Sequence, residues 1–272
     1  VSDPLALPNL AAYPAVRRLI ADLQTGIQAV FGPRLLALYL DGSLTSGDFD
    51  QDSDVDFVAV TDGEISPAEF AALQDLHTRL AQADPLWGIQ LEGSYLPIYA
   101  LRRFAPQHCL YPNIERGAGE RLKLAAHDAP WDVHRSILRE RAIVLLGPPA
   151  HELIDPVPPD QLRRVMSDLL ESWGQNLLAR PERVDTRGYQ SYIVLSMCRV
   201  LYTLETGAIT SKPRALKWAM GILDARWHGL LERAWQGRSP GLELSPDDLA
   251  ETMALVRYTR ARTAGPAAQA AV

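Results

Sequence analysis

Two short apolar runs constrain this chain more than anything else in it. Leu35 to Leu40 and Phe57 to Thr61 are each too short for a helix and too apolar for a loop. Between them lies a polar stretch that opens on Gly42-Ser43 and closes on Ser53-Asp54-Val55-Asp56. The stretch reads as strand, Gly-Ser turn, short polar helix or loop, then a second strand. On a strand, residues two apart share a face, so Asp54 and Asp56 look one way and Val55 and Phe57 the other. Paired carboxylates repel unless a cation lies between them, and hard oxygen ligands suit Mg²⁺. The Gly42-Ser43 turn offers backbone N–H groups and a hydroxyl, which is chemistry for a phosphate.

The flanking sequence supports a mixed α/β region. Val16, Leu19, Ile20, Leu23, Ile27 and Val30 recur at helical steps and stop at Gly32-Pro33. Ser66-Pro67-Ala68-Glu69 is a helix start with a capping box. The third strand is expected within Leu86 to Leu101, with Ile89, Leu91 and Tyr95 on one face and Gln90, Glu92 and Ser94 on the other. A lone strand carboxylate is usually solvated; beside a two-carboxylate site, Glu92 becomes a candidate third ligand and general base. Phe104 to Pro130 has no period and reads as loop. Asp132 to Arg141 reads as helix, and Ala142 to Leu146 as a short strand ended by Gly147-Pro148-Pro149. The acidic series Asp48, Asp50, Asp52 lacks the glycine and closing glutamate of a calcium loop, and reads as a solvated turn.

At Ile154-Asp155-Pro156-Val157-Pro158-Pro159 the texture changes. No strand pattern recurs beyond it. Helices are expected from a cap at Asp160 to about Trp173, over Tyr189–Leu204, Arg214–Leu223 and Trp227–Trp235, and from Ser245-Pro246 to about Arg262. The expected organisation is one domain over residues 1–153, an all-helical one over 154–263, and a tail of small residues at 264–272.

Composition narrows the partners. The net charge of −6 disfavours a general nucleic-acid binder and fits a small cationic substrate. Cys109 and Cys198 form neither a metal motif nor a disulfide framework. Neither a leader nor a membrane-spanning apolar run is found, so a cytoplasmic protein without membrane contact is expected, as a monomer.

The ordered set Gly42, Ser43, Ser53, Asp54, Asp56 between two strands resembles the nucleotidyltransferase superfamily. Leu38 to Val60, Ala142 to Leu153, Ile193 to Tyr202, Thr206 to Lys212 and Trp218-Ala219 together are similar to the aminoglycoside adenylyltransferases that modify streptomycin and spectinomycin. The resemblance implies an α/β nucleotidyltransferase fold, a short mixed sheet with helices, followed by an all-α bundle. It implies ATP as nucleotide donor, Mg²⁺ held by Asp54, Asp56 and Glu92, and Glu92 as base on the attacking hydroxyl. Gly42, Ser43, Ser46 and Ser53 fall near the triphosphate, and Arg199 and Lys212 match basic residues that reach ATP from the helical half when the domains close. Asp185 matches an acid that holds the cationic drug. Tyr189 stands where the family has a second such acid, and no tryptophan follows Glu92 until Trp131. The implied reaction is transfer of AMP to an antibiotic hydroxyl. A protein or RNA acceptor, or a catalytically silent nucleotide-binding regulator, are the competing readings; the intact Asp54, Asp56, Glu92 trio speaks against the last.

Overall fold

A computed structural model describes residues 10–104, 108–238 and 245–263. The expected tail at 264–272 lies outside the described residues. The chain divides into two compact units, 1–157 and 158–272.

In the first unit, helix α1 (Pro14–Phe31) leads into strand β1 (Leu35–Leu40), a single turn α2 (Ser43–Ser46), and β2 (Val55–Thr61). Helix α3 (Pro67–Ala83) crosses to β3 (Leu91–Pro97), then α4 (Ile98–Arg102), β4 (Leu110–Ile114) and β5 (Lys123–Ala126). Helix α5 (Asp132–Arg141), β6 (Ile143–Leu146) and α6 (Ala150–Leu153) close the unit. The six strands form one mixed sheet, ordered β5-β4-β3-β2-β1-β6. Only β2 and β3 run parallel, because only they are joined by a crossover helix; the other neighbours are antiparallel.

The period-2 pattern decides which side chains meet which helices. Leu38, Leu40, Phe57, Ala59, Leu91 and Tyr95 pack under α1 and α3. Ala37, Tyr39, Val58, Val60 and Leu96 face the opposite side, with Leu101, Leu138 and Ala150 of α4, α5 and α6. Ser66 caps α3 as its sequence predicts: its hydroxyl accepts from Glu69 N–H while the Glu69 carboxylate accepts from Ser66 N–H.

The expectation of a loop across Phe104–Pro130 is corrected: β4 and β5 lie there. Both are short, and β5, at the sheet edge, is mostly exposed. Pairing with β3 defines β4 and pairing with β4 defines β5, and Pro112 inside β4 hides the local signal. The third strand begins only at Leu91, since Gly88–Gln90 forms a 3₁₀ turn ahead of it.

Inside this unit, His77 of α3 shares a hydrogen bond of 2.8 Å with Tyr95 Oη and stacks on Phe57. Burial pushes its imidazole down to about 4. An unfolded histidine titrates near 6.5. Above that value His77 adds no pH dependence. Below it the unfolded chain takes up a proton that the folded chain refuses until about pH 4. Stability is therefore lost across that window, by roughly 3 kcal/mol at most. His77→Gln, which keeps an acceptor for Tyr95 but cannot titrate, is expected to flatten the fall between pH 6.5 and 4.5 in denaturant titrations. Equal slopes for both proteins would remove His77 from the account.

The second unit is helical throughout its described residues. Helix α7 (Pro159–Leu169) passes through a π turn at Leu170–Gly174 into α8 (Gln175–Ala179). Then come α9 (Arg187–Thr206), α10 (Lys212–Ile222), α11 (His228–Gln236) and α12 (Pro246–Ala261). Helix α9 is the axis. Ile193, Val194, Leu195, Met197, Cys198, Val200 and Leu201 bury most of its circumference among α7, α10, α11 and α12. Gly207, in the left-handed region at φ 70°, ends α9 where the sequence predicts a stop. Asp160 is not the cap expected of it. It lies in the first turn, paired with Arg163, because Pro159 already occupies the opening helical position.

Among the described residues no helix is long and apolar enough to cross a membrane.

Candidate active site

Strand order places the acidic residues. The parallel register pairs Asp56 with Glu92 across β2 and β3. Asp54 lies two residues before Asp56, on the same face. Ligand oxygens of Asp54, Asp56 and Glu92 all lie within 4.8 Å of one another, and each residue is only partly buried. Three carboxylates this close favour a cation between them. An all-oxygen donor set fits Mg²⁺ rather than a soft metal.

The turn after β1 is built against this cluster. Asp41 N–H donates to Asp56 O at 3.0 Å, bringing Gly42 alongside. Gly42 has φ 65° and ψ −139°. A Cβ there would stand 1.8 Å from Asp56 Oδ2, so the carboxylate occupies the space that only glycine leaves. The next residue, Ser43, has a buried Oγ with no hydrogen-bond partner. An orphaned buried hydroxyl beside a three-carboxylate cluster has the chemistry of a phosphate contact.

The other loop serines are engaged locally. Ser46 Oγ donates to Ser43 O at 3.3 Å. Ser53 Oγ donates to Asp50 Oδ1 at 2.8 Å and accepts from Asp50 N–H at 3.0 Å. Ser53 thus shapes the turn that presents Asp54. Asp50, read from sequence as merely solvated, organises that turn and also accepts from Asp52 N–H.

Arg116, in the loop between β4 and β5, was not singled out by the sequence. Its Nη1 lies 3.4 Å from Asp54 Oδ2. A lone arginine in a loop has no period to mark it; only the pairing of β4 with β3 brings it near.

On the helical unit, Thr186 caps α9 by accepting from Tyr189 N–H, and Asp185 precedes it, exposed. Tyr189 and Tyr192 stack at 6.2 Å, and Trp173 meets Tyr192 edge-on at 6.0 Å. Lys212, the first residue of α10, holds its Nζ 5.9 Å over the Tyr192 ring. Arg199 lies seven residues beyond Tyr192, two turns along the same stripe of α9. The bundle therefore gathers Tyr189, Tyr192 and Lys212. The signal for Tyr192 was present in its three-residue step from Tyr189.

Comparison with known proteins bears on both units. The family model described as the C-terminal domain of aminoglycoside adenylyltransferase matches residues 152–262. An aminoglycoside (3'') (9) adenylyltransferase of Shigella flexneri is 28% identical over 260 residues, 88% of this chain and 95% of the relative. The chain is thus similar to aminoglycoside adenylyltransferases along most of its length. Adenylyltransferases are nucleotidyltransferases, and the chain is an enzyme of that class. A spectinomycin 9-adenylyltransferase of Staphylococcus aureus is 23% identical over 243 residues, 86% of this chain and 90% of the relative. Among solved structures, a spectinomycin adenyltransferase from Enterococcus faecialis, with ATP and spectinomycin, superposes with a TM-score of 0.71. That match covers 91% of this chain and 99% of the other at 14% identity, and it establishes the fold. The fold of this chain is a nucleotidyltransferase α/β domain followed by an all-α bundle.

Proposed function

We propose that this chain transfers AMP from ATP to a hydroxyl of an aminoglycoside-type antibiotic, streptomycin or spectinomycin, with Mg²⁺ at Asp54, Asp56 and Glu92. The observation that carries the reading is the convergence of these three carboxylates within 4.8 Å beside the unpartnered hydroxyl of Ser43. Bound there, the metal would neutralise charge on the phosphate under attack.

The chain's own groups do the rest. Gly42 and Ser43 receive the triphosphate at the turn, with Ser46 and Ser53 keeping that turn and the Asp54 loop in shape. Glu92 has two oxygens, so one can face the metal while the other accepts the proton of the acceptor hydroxyl. The freed oxygen attacks the α-phosphorus in line, the bond to the bridging oxygen breaks, and pyrophosphate leaves. Arg199 and Lys212 are the cations assigned to the polyphosphate. Asp185 and Tyr189 are assigned to the acceptor: a carboxylate and an aromatic face both suit a cationic drug.

Pyrophosphate release from Mg·ATP, followed across a panel of aminoglycosides, tests this. Release is expected only in the presence of streptomycin, spectinomycin or both. ATP binding without release for any drug would overturn the acceptor assignment.

A further inference from the structure

We propose that Arg116 is a nucleotide-binding residue whose guanidinium exchanges Asp54 for a phosphate oxygen of ATP as the metal takes its place on Asp54. The inference rests on the metal and ATP reading above.

Arg116 is held where such an exchange can happen. Its neighbour Gly117 donates its backbone N–H to Ile89 O at 2.8 Å, tying the loop to the turn that precedes β3 and Glu92. Farther along, the N–H of buried Leu122 donates to Gln74 Oε1 of α3 at 2.9 Å. The loop is thus anchored on both sides, and the long side chain of Arg116, about half exposed, can swing while its backbone stays. Its guanidinium now lies 3.4 Å from Asp54 Oδ2, long for a good hydrogen bond but within ion-pair range.

A divalent ion among the three carboxylates would stand within a few ångströms of this guanidinium. Two cations at that distance repel strongly in a partly desolvated site. The side chain must then leave Asp54. The metal brings its own anion, the triphosphate, and a planar fork of N–H donors matches phosphate oxygens better than any other side chain. Arg116 therefore competes with the metal in one state and cooperates with it in the next.

This predicts opposite effects of one substitution. Arg116→Ala should bind Mn²⁺ alone about threefold tighter, since a weak surface ion pair is removed from Asp54. It should bind ATP in the presence of Mn²⁺ about tenfold more weakly, since a charge-assisted contact to phosphate is lost. Both are read by calorimetry, with Mn²⁺ binding repeated by electron paramagnetic resonance, in the absence of any acceptor. Arg116→Lys, which keeps the charge without the fork, should restore the Mn²⁺ affinity but only part of the ATP affinity. A variant that weakens both affinities marks a distorted loop, and one that changes neither marks an idle surface pair; either result overturns the inference. Asp54→Asn separates the two levels. If the wild type binds Mn²⁺ and Asp54→Asn does not, the metal reading stands and Arg116→Ala decides this inference alone. If the wild type binds neither Mn²⁺ nor ATP with Mn²⁺, both fail together.

Discussion

Asp54→Asn is expected to lower turnover by at least about three orders of magnitude while leaving the protein folded. The substitution keeps size and shape but removes one of the three anionic ligands proposed for the metal. In the proposed mechanism the remaining pair, Asp56 and Glu92, would then carry the metal with one charge fewer, and Glu92 would serve as ligand and base with less support. The stability effect has a different sign. Asp54 stands in a cluster of like charges, and its ion pair with the half-exposed Arg116 is worth little. Relieving carboxylate repulsion should leave the unfolding midpoint unchanged or slightly raised. Steady-state pyrophosphate release and thermal unfolding of the same preparation check the two halves. A variant that turns over at near-native rate would remove Asp54 from the mechanism; one that is inactive only because it is unfolded would remove the argument from repulsion.

Gly42→Ala should be nearly as damaging, for a steric reason. The added methyl would sit 1.8 Å from Asp56 Oδ2 and 2.7 Å from its Cγ. Neither atom can yield without moving the Asp56 carboxylate, a proposed metal ligand. The backbone at φ 65° and ψ −139° adds a second penalty of about 1–3 kcal/mol for any residue with a Cβ. Relief of the clash must either rotate the Asp56 carboxylate out of the cluster or shift the turn that presents Ser43. Turnover is expected to fall by about a hundredfold or more, with Mn²⁺ affinity falling alongside it. The sheet beneath should survive, since Leu40 and Phe57 still pair across β1 and β2. Native-like kinetics in a folded Gly42→Ala protein would show that the close approach of turn and carboxylate has no functional weight.

Much of this site was legible in the sequence because its parts are local. Gly42, Ser43, Asp54 and Asp56 fall on one strand–turn–strand unit, where the period of two and the turn chemistry say which way side chains point. Glu92 was reachable because alternation along its strand separated it from Leu91 and Tyr95. The boundaries of α3 and α9 were legible for the same reason, through Ser66 and Gly207. What resisted was whatever depends on a partner distant in sequence. Strands β4 and β5 are short, one carries a proline, and their identity comes from pairing, β4 with β3 and β5 with β4. Arg116 inherits that difficulty, since its approach to Asp54 exists only once β4 is in the sheet. Ser53 looked like a phosphate contact by position, yet its hydroxyl closes a turn with Asp50, a distinction that spacing along the chain does not contain. The stacking of Tyr189 on Tyr192 was within reach, because three residues along a helix make neighbours.

The pairing of Asp56 with Glu92 on adjacent rungs of parallel strands carries one more consequence. The gap between Asp56 and Glu92, the proposed metal ligand and proton acceptor, is set by the spacing of hydrogen-bonded strands, about 4.8 Å, and not by any loop. The two groups behave as marks on a ruler that the backbone ladder holds rigid. Loops around them, including the one carrying Arg116, can change length or composition without altering that gap. New acceptors can thus be accommodated by substitutions in the periphery, whereas a change that slips β2 against β3 by one residue would turn the base to the opposite face of the sheet and end the chemistry for every acceptor at once.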